Sequence, residues 1–151
     1  MTPRAVLTLA ALSTALAVPS AVQAATFATG SYRGSAFAAM GKERRGTVRF
    51  TVTRRDARLD RLSMVLRCTD GKRRTFDVGR GGSGRLKPGP TGAGVSIEGR
   101  RTVDGWDVDW GVVGGIKGST FRGNVDGSAV LHTDTESENC TLIGSFRARR
   151  R

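Results

Sequence analysis

Over most of its length this chain alternates apolar and polar residues one by one, and a period of two commits it to strands. In GTVRFTVT, Val48, Phe50 and Val52 share one face while Thr47, Arg49 and Thr51 share the other. RLSMVLRC repeats the pattern with Leu62, Met64, Leu66 and Cys68 inward, and CTLIGSFRA repeats it with Cys140, Leu142, Gly144, Phe146 and Ala148. Past the N-terminal segment no 3.6-residue apolar period is sustained. The expected fold is therefore all-β, a single antiparallel β-sandwich or closed β-barrel of roughly 8 to 10 strands.

Turn chemistry then sets which residues face one another. Asp104-Gly105, between VSIEGRRTV and WDVDWG, is the preferred two-residue hairpin connection. On the inner face it opposes Val103 to Trp106, Arg101 to Val108, Gly99 to Trp110 and Ile97 to Val112. Gly99 leaves room for Trp110 as a core plug. Arg101 is the misfit, with its stem expected along the core and its head at the rim. On the outer face Thr102 opposes Asp107 and Arg100 opposes Asp109. A second pair, Asp70-Gly71, reads differently: as a two-residue turn it would set Leu66 against Thr75 and mix the two faces. An odd-length loop that pairs Leu66 with Phe76 and Met64 with Val78 is expected instead. Gly79 to Gly94, GRGGSGRLKPGPTGAG, reads as a long surface loop.

The N-terminus carries Arg4, an apolar run from Ala5 to Val18 and a small-residue end at Val22-Gln23-Ala24. This is the pattern of a secretory signal peptide over residues 1–24, with the mature chain starting at Ala25. The run is too short for a membrane span, which needs about 18 apolar residues. Residues 25–151 are then one exported β domain. In an oxidising compartment Cys68 and Cys140 read as one disulfide, with two free buried thiols as the alternative. The bond would close a loop of roughly 70 residues, worth about 4 kcal/mol of unfolded-chain entropy.

Charge narrows the partners. The chain has 25 Lys and Arg against 13 Asp and Glu, a formal +12 that becomes +11 once Arg4 leaves with the signal peptide. Such a surface attracts polyanions. The basic residues are 21 arginines against 4 lysines, beside 21 glycines, which is also what GC-rich codons produce. The excess thus has two readings, selection for binding and genomic composition. Arg147, Arg149, Arg150 and Arg151 form the densest cluster, a basic C-terminal end at 147–151 that reads as a solvated tail.

Three stretches invite a chemical reading. GWDVDWG sets two carboxylates between two tryptophans, as a metal, sugar or acid/base site would. The hairpin register gives it a structural role instead, with Trp106 and Trp110 facing the core and Asp109 paired with Arg100, and an ion-paired carboxylate makes a poor general acid. HTDTESEN offers Asp134, Glu136, Glu138 and Asn139 as oxygen ligands for calcium, without the order of an EF-hand. His132 is the single histidine. Ser128 and Asp134 lie near it in sequence, but no nucleophile elbow or zinc-ligand set accompanies them. No catalytic residue is nominated, and no cofactor beyond that calcium option.

Gly30-x-Tyr32-x-Gly34, Val48-x-Phe50-x-Val52, Cys68 before Gly71, Phe121-x-Gly123, Gly127, and Cys140 followed by Gly144, Phe146, Ala148 and Arg149 together carry a family likeness. The chain resembles a group of small, mostly uncharacterised secreted β proteins of actinobacteria and other high-GC bacteria, over nearly all of the mature chain. The resemblance implies a compact β-sandwich or barrel with one disulfide and carries over no catalytic residues. The chain departs from the group in its tryptophan-rich strand and its acidic HTDTESEN loop.

The expected function is that of an exported, non-enzymatic, monomeric domain. It would bind or coat an anionic cell-envelope polymer or lipid through arginine-rich strand faces, without specific nucleic-acid recognition. The alternatives are a carbohydrate-binding or carbohydrate-active domain using the Trp106/Trp110 strand, and a protein-interaction module.

Overall fold

The computed structural model describes residues 26–39 and 41–151, so the expected signal peptide lies outside the described residues. The alternating runs become ten strands: β1 (Gly30–Ala38), β2 (Arg44–Val52), β3 (Asp56–Cys68), β4 (Arg73–Gly79), β5 (Gly82–Arg85), β6 (Lys87–Gly89), β7 (Gly92–Val103), β8 (Trp106–Lys117), β9 (Thr120–His132) and β10 (Ser137–Arg150). Every named pairing is antiparallel, in the order β4-β3-β2-β1-β10-β9-β8-β7-β6, with β5 added to the first part of β3. Among the described residues no helix is long and apolar enough to cross a membrane.

A second contact turns this sheet into a closed structure. Beyond the β1–β2 hairpin, β3 and β10 pair directly at Cys68↔Cys140 and Arg67↔Thr141, which closes β3, β2, β1 and β10 into a four-stranded barrel. β4 continues outward from one side and β9, β8, β7 and β6 from the other. The inward positions of the alternation fill the interior, with Phe121 packed 4.5 Å from Phe50 and 5.0 Å from Phe146 between ring centroids. Tyr32, Phe50 and Phe121 are fully buried. Burial of such rings, at about 25 cal/mol per Å² of apolar surface, is the main force holding the strands closed.

Cys68 and Cys140 form the disulfide, and both are buried. Inward positions far apart in the sequence predict a bond between distant strands through the core, and the fold differs. The two cysteine Cα atoms face each other on neighbouring strands, so the bond locks the seam of the barrel instead of crossing its core.

Three other expectations need correction. The β3–β4 connection is odd in length, three residues from Thr69 to Gly71, but it pairs Met64 with Phe76 and Leu66 with Arg74. Gly71, at φ 79°, and the Asp70 Oδ1 that accepts from the Lys72 amide stabilise that short turn. Arg74 at the inward register is accommodated because its guanidinium lies over the Trp106 ring, 5.3 Å from the centroid. The supposed loop at 79–94 contains β5, β6 and the start of β7, with Leu86 buried between the two short strands. Its glycines serve close packing: a Cβ on Gly84 would lie 2.3 Å from the Ser96 carbonyl oxygen. The C-terminal end is likewise no tail, because β10 runs to Arg150 between β1 and β9. Phe146 and Ala148, buried at alternate positions, hold the intervening arginines in the sheet.

Candidate polyanion-binding face

The GWDVDWG hairpin folds in the expected register, with Val103↔Trp106, Gly99↔Trp110 and Arg100↔Asp109 among its pairs. Asp104 and Gly105, at φ 49° and 84°, make the two-residue turn. Trp106 and Trp110 are 8% and 5% exposed, and the Trp110 Nε1 donates to the Gly81 carbonyl at 3.1 Å. Arg100 Nε donates to Asp109 Oδ1 at 2.5 Å, and Thr102 donates to Asp107. Arg101 is exposed, its guanidinium donating to the backbone carbonyls of Val78 and Arg80. These residues build the fold and present no indole face to a ligand.

The acidic stretch does not converge either. Asp134 and Glu136 sit in the exposed turn between β9 and β10, where the Thr133 hydroxyl donates to the Glu136 carbonyl. Glu138 faces away from that turn's tip and accepts from Arg74 at 3.1 Å, while Asn139, the next residue along β10, takes the opposite face. The grouping of Glu138 with Cys68 and Cys140 is occupied by the disulfide. Ser128 and His132, four positions apart on one strand, are separated by roughly 13 Å along it, too far for a nucleophile and its base.

What the register does assemble is arginine. Outward residues of successive strands stand directly opposite one another: Arg61 on β3 faces Arg49 on β2, Arg49 faces Arg33 on β1, and Arg33 faces Arg149 on β10. One step along β10, Arg147 faces Arg122 on β9. All six are exposed. Like charges placed directly opposite in a sheet repel, and a fold keeps few such pairs without compensation. Here only Arg61 has a carboxylate, Asp77 at 2.5 Å; among the described residues Arg33, Arg49, Arg122, Arg147 and Arg149 make no salt bridge. The crowding is felt at Arg147, where the neighbouring Arg122 charge, some desolvation and then Arg149 push the guanidinium below its usual range.

Two shallow grooves flank β1 on this face. The first, about 320 Å³, is walled by Arg33, Arg44, Arg49, Arg61 and Arg151, with Ser35 and Thr47 supplying hydroxyls. The second, about 470 Å³, takes Arg33, Ser35, Phe37, Arg147, Arg149 and the C-terminal arginines. Arg33 and Ser35 form the ridge between them. β1 can lie this close to β10 because of Gly34, where a Cβ would sit 1.9 Å from the Arg147 carbonyl oxygen.

Of the four C-terminal arginines singled out in the sequence, Arg147 and Arg149 lie in the opposed rows and Arg151 lines both grooves. Arg150 belongs to the inward register, opposite Tyr32, with its guanidinium at Gly30. Arg33, Arg44, Arg49, Arg61 and Arg122 were not nominated by the sequence. Arg33, Arg49, Arg61 and Arg122 are ordinary outward residues of alternating strands that only strand order brings together, whereas Arg44 has the inward parity of β2 and reaches this face through the β-bulge at Arg45.

No family model, curated protein or solved structure matches this chain. The case for a function therefore rests on this face.

Proposed function

We propose that this chain is an exported, non-enzymatic β domain that binds an anionic component of the cell envelope through the arginine face of β3, β2, β1, β10 and β9. The observation that carries the reading is the directly opposed row Arg61, Arg49, Arg33 and Arg149, with Asp77 its only carboxylate partner among the described residues. A multivalent anion laid along that row removes the repulsion and gains charge-assisted hydrogen bonds to guanidinium groups. The N-terminal sequence supports export, and the disulfide suits an oxidising compartment. The carbohydrate alternative needs exposed indoles, and both tryptophans are buried.

The test is co-sedimentation of the purified protein with isolated cell envelope across a salt series. Retention at low ionic strength, release as salt rises, and loss of retention in a folded Arg33→Glu/Arg49→Glu/Arg147→Glu variant are expected. Retention indifferent to both salt and the triple substitution would sink the proposal, as would no retention at low salt.

A further inference from the structure

Building on the anion-binding reading, we infer that the ligand is a linear polyol-phosphate polymer, a chain of phosphodiesters joined by hydroxyl-bearing aliphatic units, laid across the strands from β3 to β9. The basic path runs Arg61, Arg49, Arg33, Arg149, then steps to Arg147 and Arg122, so it crosses five neighbouring strands without a break. At about 4.8 Å per strand the four steps between strands alone cover about 19 Å measured around the sheet, several times the reach of a single phosphate. A site of that shape fits a chain.

Beside the arginine row runs a row of hydroxyls in the same register. Ser63 faces Thr47 and Thr47 faces Ser35, each two residues along its strand from an arginine of the row. At about 6.6 Å, that offset places neutral donors and acceptors next to the phosphate-binding guanidiniums, where a polyol linker would lie. Single-stranded nucleic acid is bound through rows of exposed stacking platforms, and among the described residues the arginine grooves hold one aromatic ring, the half-buried Phe37. The chain's tyrosine, both tryptophans and Phe50, Phe76, Phe121 and Phe146 are buried, and Phe27 is half-buried. A bilayer is engaged through apolar side chains beside the basic ones. The exposed large hydrophobics here are two separated side chains, Val113 one diagonal step from Arg122 and Ile143 four residues along β10 from Arg147, and among the described residues no apolar band accompanies the rest of the row.

The experiment titrates the purified protein with synthetic glycerol-phosphate oligomers of increasing length, single-stranded DNA, phosphatidylglycerol vesicles and polyglutamate, all at equal anion concentration. Affinity for the oligomers should rise with length, level off once the chain spans about 19 Å, and exceed that for the other three. Arg49→Gln and Arg122→Gln should each lower the salt slope of oligomer binding by about 1. Ser35→Ala/Thr47→Ala should keep that slope and narrow the preference for the oligomer over polyglutamate. Equal or tighter arginine-dependent binding to DNA, vesicles or polyglutamate, or no dependence on oligomer length, would overturn the polyol-phosphate assignment while leaving the anion-binding face in place. Binding to none of the four would overturn both.

Discussion

Gly99 and Trp110 show how far one residue can be argued from sequence. A glycine directly opposite a tryptophan, in a register fixed by a two-residue turn, implies that the indole fills the space a side chain would need. In the fold a Cβ on Gly99 would lie 2.3 Å from a carbon of the Trp110 ring. Gly99→Ala should therefore cost about 1 to 3 kcal/mol through overpacking, read as a lower urea midpoint. Gly115, also in a strand, is the control: its Cβ would meet nothing closer than 3.8 Å, and Gly115→Ala should change stability by less than about 0.5 kcal/mol. Equal effects at the two sites would mean that Trp110 does not occupy the space over Gly99. Arg101 was legible only in outline. Its exposed head was foreseeable, but its partners, the carbonyls of Val78 and Arg80, come from a segment whose path the local pattern does not specify.

At the scale of elements, legibility followed turn length. The β7–β8 hairpin is joined by two residues, so one dipeptide determined the register of the whole pair. The β3–β4 hairpin has three, and two odd lengths satisfy the same alternation, differing by two residues in register. The Gly-rich stretch misled for another reason: β5 and β6 are too short to alternate, and glycine signals close strand approach as readily as it signals a loop. Leu86 separates the two readings. Buried at 5% exposure, it should cost about 2 to 5 kcal/mol when changed to Ala, whereas a residue in a mobile loop would cost almost nothing. The β3–β4 hairpin should also be acid-sensitive. The Lys72 amide holds the Asp70 carboxyl below the usual aspartate range, and the Arg61 guanidinium does the same for Asp77. Groups lowered by folding stabilise above their unfolded pKa and lose that contribution as pH falls through the folded value. The urea midpoint should thus decline below about pH 4, and less so in Asp77→Asn. At the seam, Cys68→Ser/Cys140→Ser should lower stability by about 4 kcal/mol, a loss that reduction of the native protein should reproduce.

For the whole molecule, the all-β class and the inward set were written in the alternation, because burial has the same period as the strand, while the single disulfide was read from the cysteine pair and the signal-peptide pattern of the N-terminus. The arginine face was not. Arg33, Arg49, Arg61, Arg122, Arg147 and Arg149 come from five strands, and their alignment depends on the registers of several separate pairings and on β10 entering between β1 and β9. A composition skewed toward arginine gave no reason to expect opposed pairs over scattered ones. Strand order converts an excess of charge into a continuous row, and the row makes the account testable by location. The most direct measurement is a backbone amide shift map of the protein titrated with a glycerol-phosphate oligomer at low salt. The perturbed amides should cluster at Arg33, Ser35, Thr47, Arg49, Arg147 and Arg149 and vanish as salt is raised. Perturbations centred instead on the acidic positions Glu98, Asp109 and Asp126 of β7, β8 and β9, or none at saturating oligomer, would contradict the arginine face as the binding surface.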